Sequence, residues 1–262
     1  KTSIMHFFSE KDTKKLEKTA KKIAKYIISQ FPGKQLISLY LAGRILTKDR
    51  CPTSDFDFFG IVADNFLMRD EKKINDYLAN HPEMTAEREA RFRAIYLSDF
   101  EGRTEGRSKI VKDEVDVALY MKLFRHSDYK LMYGERLNFH RFPIESISDR
   151  KELAINIDML ESNINYFKDH NYQEKLPYPT IANTAKLVLH VAKMEAVLTG
   201  RCRYEPYFHK IEKVFKNERD HIFHEALAIR KENRQMTLDQ KREFISWVEK
   251  YVSDIKERFL ED

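Results

Sequence analysis

The chain has 262 residues, enough for one large domain or two ordinary ones. Its 42% hydrophobic and 12% aromatic content supports a real core, and no apolar run reaches the ~18–20 residues of a membrane helix, which argues against a spanning protein. The net charge of +5, spread over residues of both signs, suits an anionic substrate such as a nucleotide but is too weak to indicate DNA or RNA by itself.

Only 7 glycines and 7 prolines imply long regular elements joined by short loops. The two cysteines, Cys51 and Cys202, are far apart and lack metal-ligand spacing. With no signal-peptide pattern at the first residues, a reducing cytoplasm is expected.

In chain order, Ser9–Gln30 predicts a helix with Ser9 and Asp12 at its cap, an apolar face through Leu16, Ala20, Ile23 and Ile27, and solvated lysines opposite. Leu36–Leu41 and Phe56–Val62 predict strands, Glu71–Leu78 a helix and Arg91–Leu97 a strand. Ser98–Asp113, with Arg103, Arg107 and Lys109, reads as a mobile basic loop or hairpin. Glu114–Leu123 alternates, with Val115, Val117 and Leu119 on one side and Glu114, Asp116 and Ala118 on the other, so a strand is expected there.

Beyond residue 123 the period becomes helical. Helices are expected near 126–133, 150–169, 180–199, 204–217, 219–230 and 238–260. Thr180 starts one, Gly200 caps it, and Thr237-Leu-Asp-Gln240 forms a capping box for the last. Pro143 marks the boundary of two domains, 1–145 and 146–262. The fold class expected is α+β: a mixed sheet with flanking helices, then an all-α helical bundle.

Chemistry concentrates in Leu39–Val62. Asp55 and Asp57 are two apart on a strand and share a face, while Phe56 and Phe58 take the other. Two carboxylates on one face beside a glycine turn suit Mg²⁺ held against a triphosphate. Gly43 lets backbone N–H groups approach phosphate oxygens, and Arg44, Lys48 and Arg50 can meet the outer phosphates. Asp116 is the best third carboxylate, and Glu114 is an alternative on the same face.

The run Ala42-Gly43-Arg44…Ser54-Asp55-Phe56-Asp57, followed by Val115-Asp116-Val117, resembles the DNA polymerase β-type nucleotidyltransferase superfamily. With a helical part to follow, with Leu131-Met-Tyr-Gly-Glu-Arg136, and with Leu187–Arg201 ending in Thr199-Gly200, the layout is similar to the streptomycin/spectinomycin adenylyltransferases. The resemblance implies that Asp55, Asp57 and Asp116 bind two Mg²⁺ ions, that Asp116 or Glu114 acts as base, and that Gly43, Arg44, Ser54 and Lys48 hold ATP or another NTP. It further implies AMP transfer to a hydroxyl of an aminoglycoside-like acceptor selected by the helical part, in a monomer or homodimer. The family's Ser after the turn glycine is Arg44 here. That departure keeps open a second expectation, a regulatory or antitoxin-type interaction protein with a HEPN-like bundle, or an enzyme modifying protein or RNA.

Blander readings stand beside these. Ser54–Asp57 can be an ordinary turn and edge strand. His221 and His224, three apart, lack an evident third metal ligand, and Arg203…His209 is interrupted by Pro206. Phe244, Trp247, Val248, Tyr251 and Val252 recur at helical spacing and are expected in the bundle core. Glu152, Asp158, Glu161, Glu195 and Glu205 could line an acidic pocket for a cationic acceptor.

Overall fold

A computed structural model describes residues 10–31, 33, 35–47, 54–84, 89–103, 114–175, 179–204, 207–232 and 234–261. The chain divides into two compact units, Lys1–Ser146 and Ile147–Asp262.

The first unit runs α1 (Glu10–Ser29), β1 (Leu36–Ala42), β2 (Phe56–Val62), α2 (Met68–Ala79), β3 (Ala90–Tyr96), a short α3 (Leu97–Phe100), α4 (Glu114–His126) and β4 (Tyr129–Gly134). The sheet order is β3-β2-β1-β4. β1 is antiparallel to β2 and β4, and β2 is parallel to β3.

Strand alternation sends each residue set to its own layer. Leu39, Leu41, Phe56, Phe58, Phe92 and Ala94 join α1 and α2 in one core. Tyr40, Ile61 and Ile95 join Val117, Met121 and Phe124 of α4 in a second. Phe59 packs edge-on against Tyr120 and Phe124 on that second face.

Two expectations fail here. Glu114–Leu123 is helix α4, not a strand. Its Val and Leu alternation coexists with Val117, Met121 and Phe124 at helical spacing, and burial of that stripe against the sheet decides the outcome. The helix expected near 126–133 is strand β4, which pairs with β1 from Tyr129 to Gly134. Tertiary pairing overrides local pattern in that short run.

The second unit is helical: α5 (Asp149–Asp169), α6 (Ile181–Leu198), α7 (Phe208–Val214), α8 (Ile222–Glu232) and α9 (Leu238–Phe259). Ser148 and Thr180 cap α5 and α6 by accepting from the backbone N–H of Lys151 and Asn183. The capping box of Thr237 and Gln240 is formed in full. α6 is buried along most of its length and is the hub of the unit's core. Phe244, Val248, Tyr251 and Val252 are buried as expected, but Trp247 is 38% exposed and lies off that stripe. Among the described residues, no helix is long and apolar enough to cross a membrane.

Candidate active site

The sheet delivers Asp55 and Asp57 to the α4 face. Phe56 and Phe58 are fully buried on the other face, so their burial locks the alternation and with it the direction of the two acids. Both acids are half-buried. Ser54 is buried immediately before β2.

Across the sheet from Asp57 lies Ala42, the last residue of β1. Gly43 then takes φ +86°, the left-handed region where a side chain is strained. Arg44–Leu46 follows as one 3-10 turn, with Leu46 N–H donating to Gly43 O at 3.2 Å. The Arg44 side chain, like Lys48 and Arg50, lies outside the described residues. So does most of the basic segment between Ser98 and Asp113, and the Ser9 cap.

On the other flank, β3 enters beside the acids. Phe56 pairs with Ala90 and Asp57 with Arg91 in the parallel register. One residue earlier, Glu89 N–H donates to Asp55 Oδ1 at 3.2 Å while Glu89 O accepts from Phe56 N–H at 2.9 Å. Register therefore sets Asp55, Asp57, Glu89 and Arg91 on one face. Arg91 Nε donates to Glu89 Oε2 at 2.9 Å, and its Nη2 reaches the same oxygen at 2.5 Å.

The expected third carboxylates, Asp116 and Glu114, stand in the first turn of α4 rather than on a strand. Their side chains lie outside the described residues. Glu89 is an acid beside Asp55 that the sequence did not single out. The signal was its place just ahead of the Arg91–Leu97 strand, but nothing local tells that this strand runs parallel beside β2.

The donor chemistry of Asp55 and Asp57, two carboxylates on one face, fits a hard divalent cation. Among the described residues, no three of His, Cys, Asp and Glu are gathered into a group that could hold a metal ion. His221 and His224 serve other partners: His221 Nε2 meets Glu195 Oε2 at 3.1 Å and His224 Nε2 meets Phe215 O at 3.0 Å.

Three of the helical unit's acids named above, Glu152, Glu161 and Glu195, are engaged within the chain. Glu152 is paired with Lys193 at 2.8 Å, both buried, and Tyr204 Oη lies 3.1 Å from the Lys193 ammonium. Glu161 meets Lys256 at 2.8 Å. Glu195 accepts from Tyr251 Oη at 2.7 Å and from Arg258 at 3.0 Å, besides its contact with His221. Burial alone would raise its pKa. The hydrogen bonds from His221 and Tyr251, the His221 charge and Arg258 outweigh burial and bring it from 4.5 to about 2. Glu205 lies outside the described residues.

Against solved structures, the chain is similar to a spectinomycin adenyltransferase from Enterococcus faecialis crystallised with ATP and spectinomycin. The TM-score is 0.55 at 12% identity, over 92% of this chain and 98% of that one. The protein has a nucleotidyltransferase fold. The mixed sheet with flanking helices, followed by C-terminal helices, matches that neighbour. No family model and no curated protein matches the sequence.

Proposed function

We propose that this protein is a Mg²⁺-dependent nucleotidyltransferase that moves a nucleoside monophosphate, AMP by preference, from an NTP to a hydroxyl of a small, aminoglycoside-like acceptor. The observation that carries the reading is the Asp55–Asp57 face of β2 set against the left-handed turn at Gly43. The likeness to an adenyltransferase solved with ATP and spectinomycin supports it.

In this reading Asp55 and Asp57 would hold magnesium, which when bound neutralises charge on the triphosphate oxygens. Gly43 and the backbone after it cradle the phosphate tail, and Arg44, Ser54 and Lys48 are assigned to it as further phosphate-binding residues. We assign the base to Glu89, which shares the sheet face of Asp55 and Asp57 and whose backbone N–H donates to Asp55 Oδ1; Asp116 and Glu114 remain the alternatives on α4. The base accepts the proton of the acceptor hydroxyl as that oxygen bonds to the α-phosphorus. The bond from the α-phosphorus to the bridging oxygen breaks, and pyrophosphate leaves with the electron pair.

Arg44 in place of the family's Ser favours one other reading: an interaction protein on the same fold, with weak or no transfer. One experiment separates the two. Purified protein with Mg²⁺, α-labelled ATP and a panel of aminocyclitols and aminoglycosides should release pyrophosphate and label an acceptor. Asp57→Asn should lower transfer by roughly 10²-fold or more at an unchanged melting temperature. If the wild-type protein binds no ATP, or Asp57→Asn transfers normally, the proposal is wrong.

A further inference from the structure

Four charged residues share one patch of one sheet face. Asp57 lies on β2 with Asp55 just ahead of that strand, Arg91 lies on β3 with Glu89 just ahead of it, and Asp57 is the register partner of Arg91. Three of the four are acids. The Glu89 carboxylate is drawn to Arg91, whose Nε and Nη2 both converge on Oε2. Residues two apart on a strand face the same way, so the strand itself supports this pair. Both side chains are partly sheltered, at 37% and 26% exposure.

A guanidinium here does part of what a metal cation would do, since it balances carboxylate charge. It also repels a divalent cation approaching Asp57. A triphosphate competes for the same guanidinium, because its oxygens match the planar donor fork as well as a carboxylate does.

We propose that Arg91 is a built-in counter-cation of this site: it holds the Glu89 carboxylate until a nucleotide triphosphate takes its guanidinium, and the exchange releases Glu89. The proposal rests on the reading of Asp55 and Asp57 as cation ligands. It makes Arg91 a positioning residue that acts through Glu89, and it couples metal loading to nucleotide binding. Metal alone meets a positive charge, whereas metal with triphosphate meets a guanidinium that has moved to the phosphates.

The test uses the full chain, Mn²⁺ as the probe cation followed by electron paramagnetic resonance, and calorimetric titration with Mg-ATP. Arg91→Met should bind Mn²⁺ about tenfold more tightly than wild type without nucleotide, since a repelling charge has gone. The same variant should bind Mg-ATP about tenfold more weakly, for want of a charge-assisted phosphate contact. Arg91→Lys should fall between the two on both scales. Opposite movement of the two affinities is not produced by a surface ion pair or by partial unfolding, and a thermal melt checks the latter. Unchanged Mn²⁺ affinity, or a parallel loss of both, overturns the role of Arg91. Asp57→Asn in the Arg91→Met background separates the layers. If it abolishes Mn²⁺ binding while Arg91→Met matches wild type, only the Arg91 proposal falls. If neither wild type nor Arg91→Met binds Mn²⁺ with or without ATP, the metal-site reading falls with it.

Discussion

Gly43 and Asp57 stand so close that a Cβ on residue 43 would lie 3.0 Å from Asp57 Oδ2. The contact follows from the pairing of Ala42 with Asp57 and from the left-handed φ at Gly43. Gly43→Ala should therefore cost about 1–2 kcal/mol in stability from backbone strain. The added methyl also presses on the Asp57 carboxylate, so AMP transfer should fall by roughly 10²-fold. Chemical denaturation and initial rates measure the two effects. Wild-type transfer in a folded Gly43→Ala protein would mean that Asp57 does not need this space.

Gly134 closes β4 at φ +79°, and a Cβ there would come within 1.9 Å of Ile37 O. The obstacle is backbone of a paired strand, which cannot swing aside. Gly134→Ala should cost about 3 kcal/mol or more, read as a lower urea midpoint. A smaller loss would show that the β1–β4 end can open.

β3 is an edge strand, and Asn75 of α2 covers its edge. The Asn75 amide donates to Phe92 O at 2.9 Å and accepts from Phe92 N–H at 2.8 Å, as a neighbouring strand would. Glu71 Oε2 accepts from Ala94 N–H at 2.9 Å two residues on. Asn75→Leu should cost about 1–3 kcal/mol and speed hydrogen exchange at the Phe92 amide. Exchange at Phe92 as slow as in wild type would contradict this assignment.

In the helical unit, Lys193 and Glu152 form an ion pair that is nearly closed to water, at 3% and 6% side-chain exposure. Lys193→Met alone should cost about 3–5 kcal/mol, because it leaves a buried carboxylate without its cation. Adding Glu152→Leu should recover most of that loss. A double-mutant cycle in urea measures the coupling, and additive losses would count against it.

Glu195 has its pKa lowered in the folded protein, from 4.5 to about 2. Its contribution to stability is therefore complete above about pH 4.5 and is lost as pH falls toward 2. A shift of this size corresponds to roughly 3 kcal/mol. Unfolding measured between pH 6 and 2 should show a steeper fall in wild type than in Glu195→Gln. Parallel curves would mean that other carboxylates govern acid unfolding.

Several features were readable because their physics is local. Phe56 and Phe58 had to be buried, and period two then put Asp55 and Asp57 on the opposite face together. Thr180 and the Thr237–Gln240 box announce helix starts through side-chain oxygens that meet nearby backbone N–H groups. The α4 stretch misled because Val115, Val117 and Leu119 match a strand while Val117, Met121 and Phe124 match a helix. Only packing against the sheet chooses between them.

By itself, the order of residues determined the direction of the two aspartates, the glycine turn beside them and the run of helices that follows the Ser148 cap. Each rests on forces between residues a few positions apart. Tertiary structure alone decided that β3 enters parallel beside β2, bringing Glu89 and Arg91 to Asp55 and Asp57 across more than thirty positions. That pairing depends on how α2 folds back over the edge of the sheet. No local propensity encodes it, because its stabilisation comes from contacts that exist only once the layers have met.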